Sequence, residues 1–429
     1  GGATGNVAID QYHRYAEDIV HLERLGAETY RFSLSWSRIL PQGTGPVNQA
    51  GIDHYNRVID ALVQVGVEPT ITIYHQALPL ALARQGGWAN PESPEWFAAY
   101  ARTVFEAFGD RVPTWITINE PYMESMYIGA IAKGLFAPSA DQASVTDVPA
   151  NVLVQQASEA HNLLLAHARA VQEFRSMNLA GQIGIALNLS PVYAATPVSA
   201  DRDAALLEDG ILNQWFIDPV MKGEYPADVL ALYERDGETG LQRGSSILRD
   251  AAPPDFLGIN YYAPVRVKAS IASTRYGIEA LPNPDSVQSY LGEVYPEGLS
   301  DLLGRLHRDY DSPRLFVTEN GAGFGAIDDA LTAGRVQDIH RQAYLCRHLA
   351  QVRNAIEAGV RVERYYVWAA FDHFEWTFGY SRRYGLIYVD FDTQERIWKD
   401  SAYLYRDIIA TGRLDGRCHD PGLVDWTAQ

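Results

Sequence analysis

The sequence predicts an α/β fold closed into a (β/α)8 TIM barrel. Near-apolar runs of strand length recur along the chain, amphipathic stretches of helical period lie between them, and polar or aromatic residues stand where the runs stop. Strands buried on both faces read as continuous apolar runs, as in a parallel sheet covered by helices. Their alternation with helices argues for successive βα units.

Tyr12–Leu25 opens the series as a helix, with Tyr15, Ile19, Leu22 and Leu25 on one face and Glu17, Asp18, Glu23 and Arg24 off it. The strand runs follow as Thr29–Ser35, Pro69–Tyr74, Trp115–Asn119, Ile183–Leu189, Phe256–Tyr261, Leu315–Thr318 and Tyr365–Trp368. Before the last of them, His340–Ala358 carries a helical stripe of Leu345, Leu349, Val352 and Ile356, with Gly359 as its C-cap. Strand ends carry Ser35-Trp36, Tyr74-His75, Asn119-Glu120, Asn188, Asn260-Tyr261-Tyr262, Glu319-Asn320 and Trp368. A barrel draws its site from the C-terminal ends of many strands, whereas a doubly wound sheet gathers it at one crevice. The spread favours the barrel.

Closure takes eight strands and the runs number seven. The chain also opens in a loop leading to a helix, so the expectation is a barrel lacking its first β-strand at the N-terminus. No linker or charge block divides the sequence, and a single domain over residues 1–429 is expected.

The net charge of −18, from 35 basic against 53 acidic residues, argues against nucleic acid as a partner. No apolar run is long enough to span a bilayer, so no membrane partner is expected. Cys346 and Cys418 are too few for a disulfide framework, and no Cys/His cluster has zinc spacing; a reducing, cytoplasmic setting is expected, with no metal and no cofactor. Gly321-Ala322-Gly323-Phe324-Gly325 resembles part of a dinucleotide fingerprint but follows a strand without the acidic partner, and reads as a flexible barrel loop. The sequon Asn188-Leu189-Ser190 ends a buried strand, where glycosylation is not expected.

Two strand ends carry chemistry. Thr117-Ile118-Asn119-Glu120-Pro121 closes one and Val317-Thr318-Glu319-Asn320-Gly321 another. Retaining glycoside hydrolysis needs two carboxylates roughly 5–5.5 Å apart, one as nucleophile and one as acid and then base. Facing strand ends across a barrel mouth can hold them. A lone Glu at a strand end is more often a surface residue; two, each beside Asn at the end of a buried strand, point to catalysis.

These motifs resemble the two signatures of family 1 glycoside hydrolases, the β-glucosidase family. The likeness extends through Tyr30-Arg31-Phe32-Ser33, Ser35-Trp36, Arg38-Ile39-Leu40-Pro41, Tyr74-His75, Asn260-Tyr261-Tyr262, Val294-Tyr295-Pro296-Glu297-Gly298-Leu299 and Phe374-Glu375-Trp376. The resemblance implies Glu319 as nucleophile and Glu120 as acid/base, with Arg31 and Tyr262 against the nucleophile and Asn119 on the sugar 2-hydroxyl. It implies further sugar contacts from His75, Gln76, Asn260, Trp368, Glu375 and Trp376. The substrates implied are small β-glycosides or short β-linked oligosaccharides, cleaved from the non-reducing end; self-association into a homo-oligomer is left open.

A carboxylate at Glu375 would repel the phosphate of a phospho-sugar, and Glu120 stands where thioglucosidase relatives carry Gln. Two positions depart from the family. Gln76 replaces the usual Trp after His75, which predicts relaxed glucose/galactose/fucose discrimination. His373 replaces the more frequent Asn beside Phe374-Glu375-Trp376. The absent first strand, which in the family ends in a sugar-binding Gln, raises a rival: a catalytically impaired sugar-binding relative. A transglycosylase is the other alternative.

Overall fold

The computed structural model describes residues 2–135, 145–237, 241, 245–251, 253–414 and 416–419. Seven strands form one sheet in strict sequence order. They are β1 (Thr29–Ser33), β2 (Glu68–Tyr74), β3 (Thr114–Asn119), β4 (Gln182–Asn188), β5 (Phe256–Asn260), β6 (Leu315–Asn320) and β7 (Val362–Val367). Every neighbouring pair is parallel, so all the C-terminal ends share one rim. The result is a nearly closed barrel of the TIM type.

Helices α1 (Gln11–Leu25), α2 (Gln49–Gln64), α3 (Ser93–Phe108), α4 (Ala150–Ser176), α5 (Glu297–Asp309), α6 (Ile339–Glu357) and α7 (Asp400–Thr411) cover the outside. α1 stops at Gly26, whose φ of 74° lets its N–H return to the last turn. α6 ends at Glu357, with Ala358 as its cap and Gly359 one residue beyond at φ 92°. Of its expected stripe Leu345 and Val352 are buried, but Ile356 is exposed. Asp18, expected off the apolar face of α1, is buried and receives the Arg396 Nε hydrogen at 2.9 Å. A buried charge is retained where a charged partner meets it.

β3 and β6 are buried along their whole length, as continuous apolar runs predict. Inside the barrel Phe256 and Phe316 stack with ring centroids 4.0 Å apart, beside Ile116 and Ala186. β1 and β7 differ, being only partly buried along most of their length. Between them lies a cavity of about 610 Å³, reached by Arg31, His75 and Trp368 at the rim and by Glu28 and Glu363 at the base. Side chains bridge the gap at the floor: Arg364 donates to Glu68 at 2.5 Å, and the Thr70 and Tyr366 hydroxyls are 2.9 Å apart. β7 begins three residues before the apolar run does, because Glu363 and Arg364 point to charged partners rather than into the core.

Two further expectations are corrected. Cys346 on α6 and Cys418 pair in a disulfide with Cα atoms 5.5 Å apart, a proximity that a separation of 72 residues conceals. The segment from Gly321 to Gly323 is buried rather than a flexible loop. A Cβ on Gly321 would lie 1.9 Å from the Trp368 carbonyl oxygen, so this glycine permits close approach of the β6 and β7 ends. Among the described residues no helix is long and apolar enough to cross a membrane.

Candidate active site

The site is built on the rim from the ends of β1, β2, β3, β5, β6 and β7. Glu319 is the next-to-last residue of β6, held by the sheet rather than by a loop. Its neighbour Asn320 is fully buried: the amide donates to the Tyr261 carbonyl at 2.7 Å and the Tyr344 hydroxyl at 2.8 Å, and its oxygen accepts from Tyr365 at 2.6 Å. Three partners on three elements thus fix the backbone that carries Glu319.

Glu120 leaves β3 at φ 48°, a left-handed conformation uncommon for a residue with a side chain. Its N–H donates to the Ala186 carbonyl of β4 at 2.8 Å, and its carbonyl accepts from the Glu124 N–H at 3.1 Å. These bonds hold a turn that aims the carboxyl across the mouth. Such strain costs on the order of 1–3 kcal/mol and persists where surrounding structure over-determines it.

A hydrogen-bonded chain joins the two carboxyls. Arg31 Nη1 donates to Glu319 Oε1 at 2.7 Å, and Nη2 donates to Asn119 Oδ1 at 2.6 Å. Asn260 Nδ2 donates to Asn119 Oδ1 at 3.1 Å and to Glu120 Oε1 at 2.8 Å. The second Glu319 oxygen accepts from the Tyr262 hydroxyl at 2.7 Å. Thr72 fixes Arg31 by accepting from Nε at 3.0 Å, while Thr318 donates to Asn260 Oδ1 at 2.7 Å and orients its amide.

Electrostatics separate the pair. Burial, reinforced by the charge of Glu319, pushes the Glu120 carboxyl up to about 8. Glu319 instead has donors on both oxygens. Burial and the Glu319 charge push the Tyr262 phenol well above its usual range, so it stays a donor. His75 is pushed down to about 3 by burial and by Arg31, and is a neutral imidazole whose Nε2 faces the Asn119 amide at 3.3 Å.

The structure therefore gathers Arg31, His75, Asn119, Glu120, Asn260, Tyr262 and Glu319. Trp368 lies beside them, its ring centroid 5.9 Å from that of His75. Glu375 approaches through His373, whose Nε2 is 2.6 Å from Glu375 Oε2. Gln76 is half-buried next to His75 at φ 57°. Trp376 stands outside the hydrogen-bonded cluster, on the rim and 47% exposed. Sequence reasoning passed over Thr72, Thr318 and Asn320, although the last two flank Glu319 in the quoted motif. Their signal was polarity inside an otherwise apolar strand, which predicts a buried partner.

The sequence profile described as Glycosyl hydrolase family 1 matches residues 1–413. Beta-glucosidase A of Acetivibrio thermocellus is 40% identical over 413 residues, covering 95% of this chain and 88% of that protein. Beta-glucosidase A of Thermotoga maritima is 40% identical over 417 residues, covering 96% and 89%. The solved structure of the Thermotoga maritima β-glucosidase in complex with castanospermine has a TM-score of 0.87 at 39% identity, covering 97% of this chain and 90% of that one. Likeness of this extent to named glycosidases does not favour the impaired sugar-binding alternative.

Proposed function

This chain belongs to glycosyl hydrolase family 1, a family of retaining glycosidases, and on that premise we propose that Glu120 and Glu319 carry its reaction on β-linked glucose-type sugars. The observation that supports this most is the chain Glu319–Arg31–Asn119–Asn260–Glu120, which ties a carboxylate with a donor on each oxygen to a carboxyl pushed up to about 8.

In the first step a Glu319 oxygen attacks the anomeric carbon while the bond to the leaving oxygen breaks. The Glu120 proton passes to that oxygen, and the aglycone departs as an alcohol. Glu319 is then an ester and no longer charged, which removes the largest Coulombic cause holding Glu120 up. Glu120, now a carboxylate, takes a proton from water as the water oxygen attacks the same carbon and Glu319 is released. Asn119 and Asn260 reach the 2-hydroxyl side, and Trp368 offers an apolar face to the pyranose ring. His75 and the free oxygen of Glu375 bind hydroxyls on the far side of the ring, with Gln76 beside them and Trp376 at the mouth.

We take residues 1–429 as one catalytic domain acting on uncharged β-glycosides and short β-linked oligosaccharides. Glu375 disfavours a phosphate there, and Gln76 in place of an apolar wall loosens discrimination among glucose, galactose and fucose. The gap between β7 and β1 reads as the berth of an eighth parallel strand, since eight strands close such a barrel. The Cys346–Cys418 bridge favours an oxidising compartment over the cytoplasmic one expected from sequence.

The test is stereochemical. Proton NMR of an aryl β-glucoside digest should show the β-anomer of glucose first, and a 2-deoxy-2-fluoro glucosyl fluoride should label the Glu319 peptide. Release of the α-anomer, or labelling elsewhere, overturns the assignment.

A further inference from the structure

His373 lies outside the chain of bonds described above, yet its surroundings fix its charge. Nδ1 is 3.1 Å from the Phe371 carbonyl oxygen, which can only accept. Nε2 is 2.6 Å from Glu375 Oε2, and a carboxylate can only accept. With Glu375 as the carboxylate that a sugar contact calls for, two acceptors require two ring hydrogens, and the ring is an imidazolium. The Glu375 backbone is pinned separately, its N–H donating to the Gly379 carbonyl at 2.8 Å and its own carbonyl accepting from the Gly379 N–H at 3.1 Å. What remains free is the carboxylate rotamer, and His373 holds it. Oε2 is thereby engaged, while Oε1 has no protein hydrogen bond among the described residues and is left for a ligand.

We propose that His373 is a positioning residue: as an imidazolium it clamps Glu375 so that one carboxylate oxygen faces the sugar, and ligand affinity depends on that clamp. This rests on the reading of Glu375 as a sugar contact and adds the element that orients it.

The ring sits in a fitted slot. The Trp368 and His373 rings meet edge to face at 5.3 Å, and Tyr384 stacks on the other side at 6.4 Å. The charged and titratable groups facing it are Glu375, Asp372 and His75, with the Tyr384 phenol. Asp372 is itself engaged by Lys399 at 2.9 Å and by Arg383 at 2.6 Å, and His75 is neutral. Burial alone would lower His373, but the hydrogen bond and charge of Glu375 outweigh it, and the ring titrates above the ordinary histidine value. Above that point the Nε2 hydrogen is lost while Nδ1 keeps its own on Phe371. A lone pair then faces the carboxylate at hydrogen-bond distance, the contact becomes repulsive, and Glu375 leaves its rotamer. Affinity should fall as pH rises, independently of the Glu120 proton.

The experiment measures calorimetric Kd for phenyl 1-thio-β-D-glucoside, an uncharged and uncleaved ligand, from pH 5 to 9. It compares the wild-type protein, His373→Ala, His373→Asn and Glu375→Gln. The wild type should weaken at least fivefold toward high pH. His373→Ala should bind about tenfold more weakly at pH 6 and keep only the pH dependence that Glu120, pushed up to about 8, contributes, and His373→Asn, which keeps the ring slot polar, should do the same. Glu375→Gln weakening Kd while both His373 variants keep the wild-type profile overturns the clamp and leaves the sugar-site reading intact. Glu375→Gln with unchanged Kd overturns the sugar-site reading itself. Imidazole 15N NMR at pH 6.5 supplies a readout independent of binding: two protonated ring nitrogens on His373 are expected, and a single one overturns the proposal.

Discussion

Asn260→Ala removes an amide that touches both Glu120 and Asn119, and its effect on pH dependence can be worked out from the site. Asn260 Nδ2 donates to Glu120 Oε1 at 2.8 Å, a bond that favours the ionised carboxylate and holds the Glu120 pKa below where burial alone would put it. A hydrogen bond to a charged group contributes about 1.5–3 kcal/mol, and one pKa unit corresponds to about 1.4 kcal/mol. The amide also bonds the neutral acid, so the lower end applies and the shift should be about one unit upward. In the proposed mechanism Glu120 acts first as an acid, so turnover falls as pH rises through its pKa. The alkaline limb of kcat/KM, which reports the ligand-free enzyme, therefore lies near 8 in the wild type and moves higher in the variant. Because the carboxyl is also less firmly placed, maximal kcat should drop on the order of tenfold, the equivalent of about 1.4 kcal/mol. The assay is kcat/KM, with kcat beside it, from pH 5 to 10 on phenyl β-glucoside, whose poor leaving group needs the proton. A dinitrophenyl glucoside, which needs little protonation, should lose less. Thr318→Val, which removes only the hydroxyl orienting Asn260, should shift the limb in the same direction by less. A limb that stays in place or moves down refutes the reasoning, as does equal loss on both substrates.

Glu319→Ala should abolish turnover of aryl β-glucosides and leave no fluoro-sugar adduct by mass spectrometry, with the fold intact by circular dichroism. Gln76→Trp should raise the ratio of kcat/KM for glucoside over fucoside by several-fold, restoring an apolar wall; an unchanged ratio, or a wild type already strict for glucosides, removes Gln76 as the determinant. Cys418→Ser opens a 72-residue loop, and chain entropy assigns such a closure about 4 kcal/mol, so Tm should fall by several degrees. Glu208→Gln should destabilise more sharply, by about 3–5 kcal/mol in chemical denaturation, because it leaves buried Arg275 without the carboxylate it contacts through Nε and Nη2 at 2.8 Å.

The candidate carboxylates were legible in the sequence because each stands in a contiguous motif. Thr117–Pro121 and Val317–Gly321 each place a carboxylate at the end of an apolar run, and a strand end is a feature that local hydrophobicity marks. The same signal located all seven strands to within a few residues, since strands buried on both faces have little freedom to be polar. It failed where burial is partial: β7 starts at Val362 although the apolar run starts at Tyr365, because its first turn lies at the base, where charged side chains pair. At Gly321–Gly323 the sequence signal falls short for a related reason. Glycine reports that a side chain does not fit, and the choice between a mobile loop and a close backbone approach depends on what lies opposite, here the Trp368 carbonyl.

By itself the sequence pointed to the barrel class and the glycosidase reaction, and singled out Glu120 and Glu319 as the candidate pair. Those depend on residue type and local period, which a chain carries in order. Only the tertiary structure decided the electrostatic surroundings and the partners: that Glu120 is pushed up to about 8 while Glu319 is met by Arg31 and Tyr262, that Cys346 finds Cys418, and that His373 comes within hydrogen-bond distance of Glu375. The physical reason is common to all of them. Burial, Coulomb interaction and hydrogen bonding act over a few ångströms in space, and residues separated by tens or hundreds of positions reach that range only when the barrel brings its strand ends to one rim.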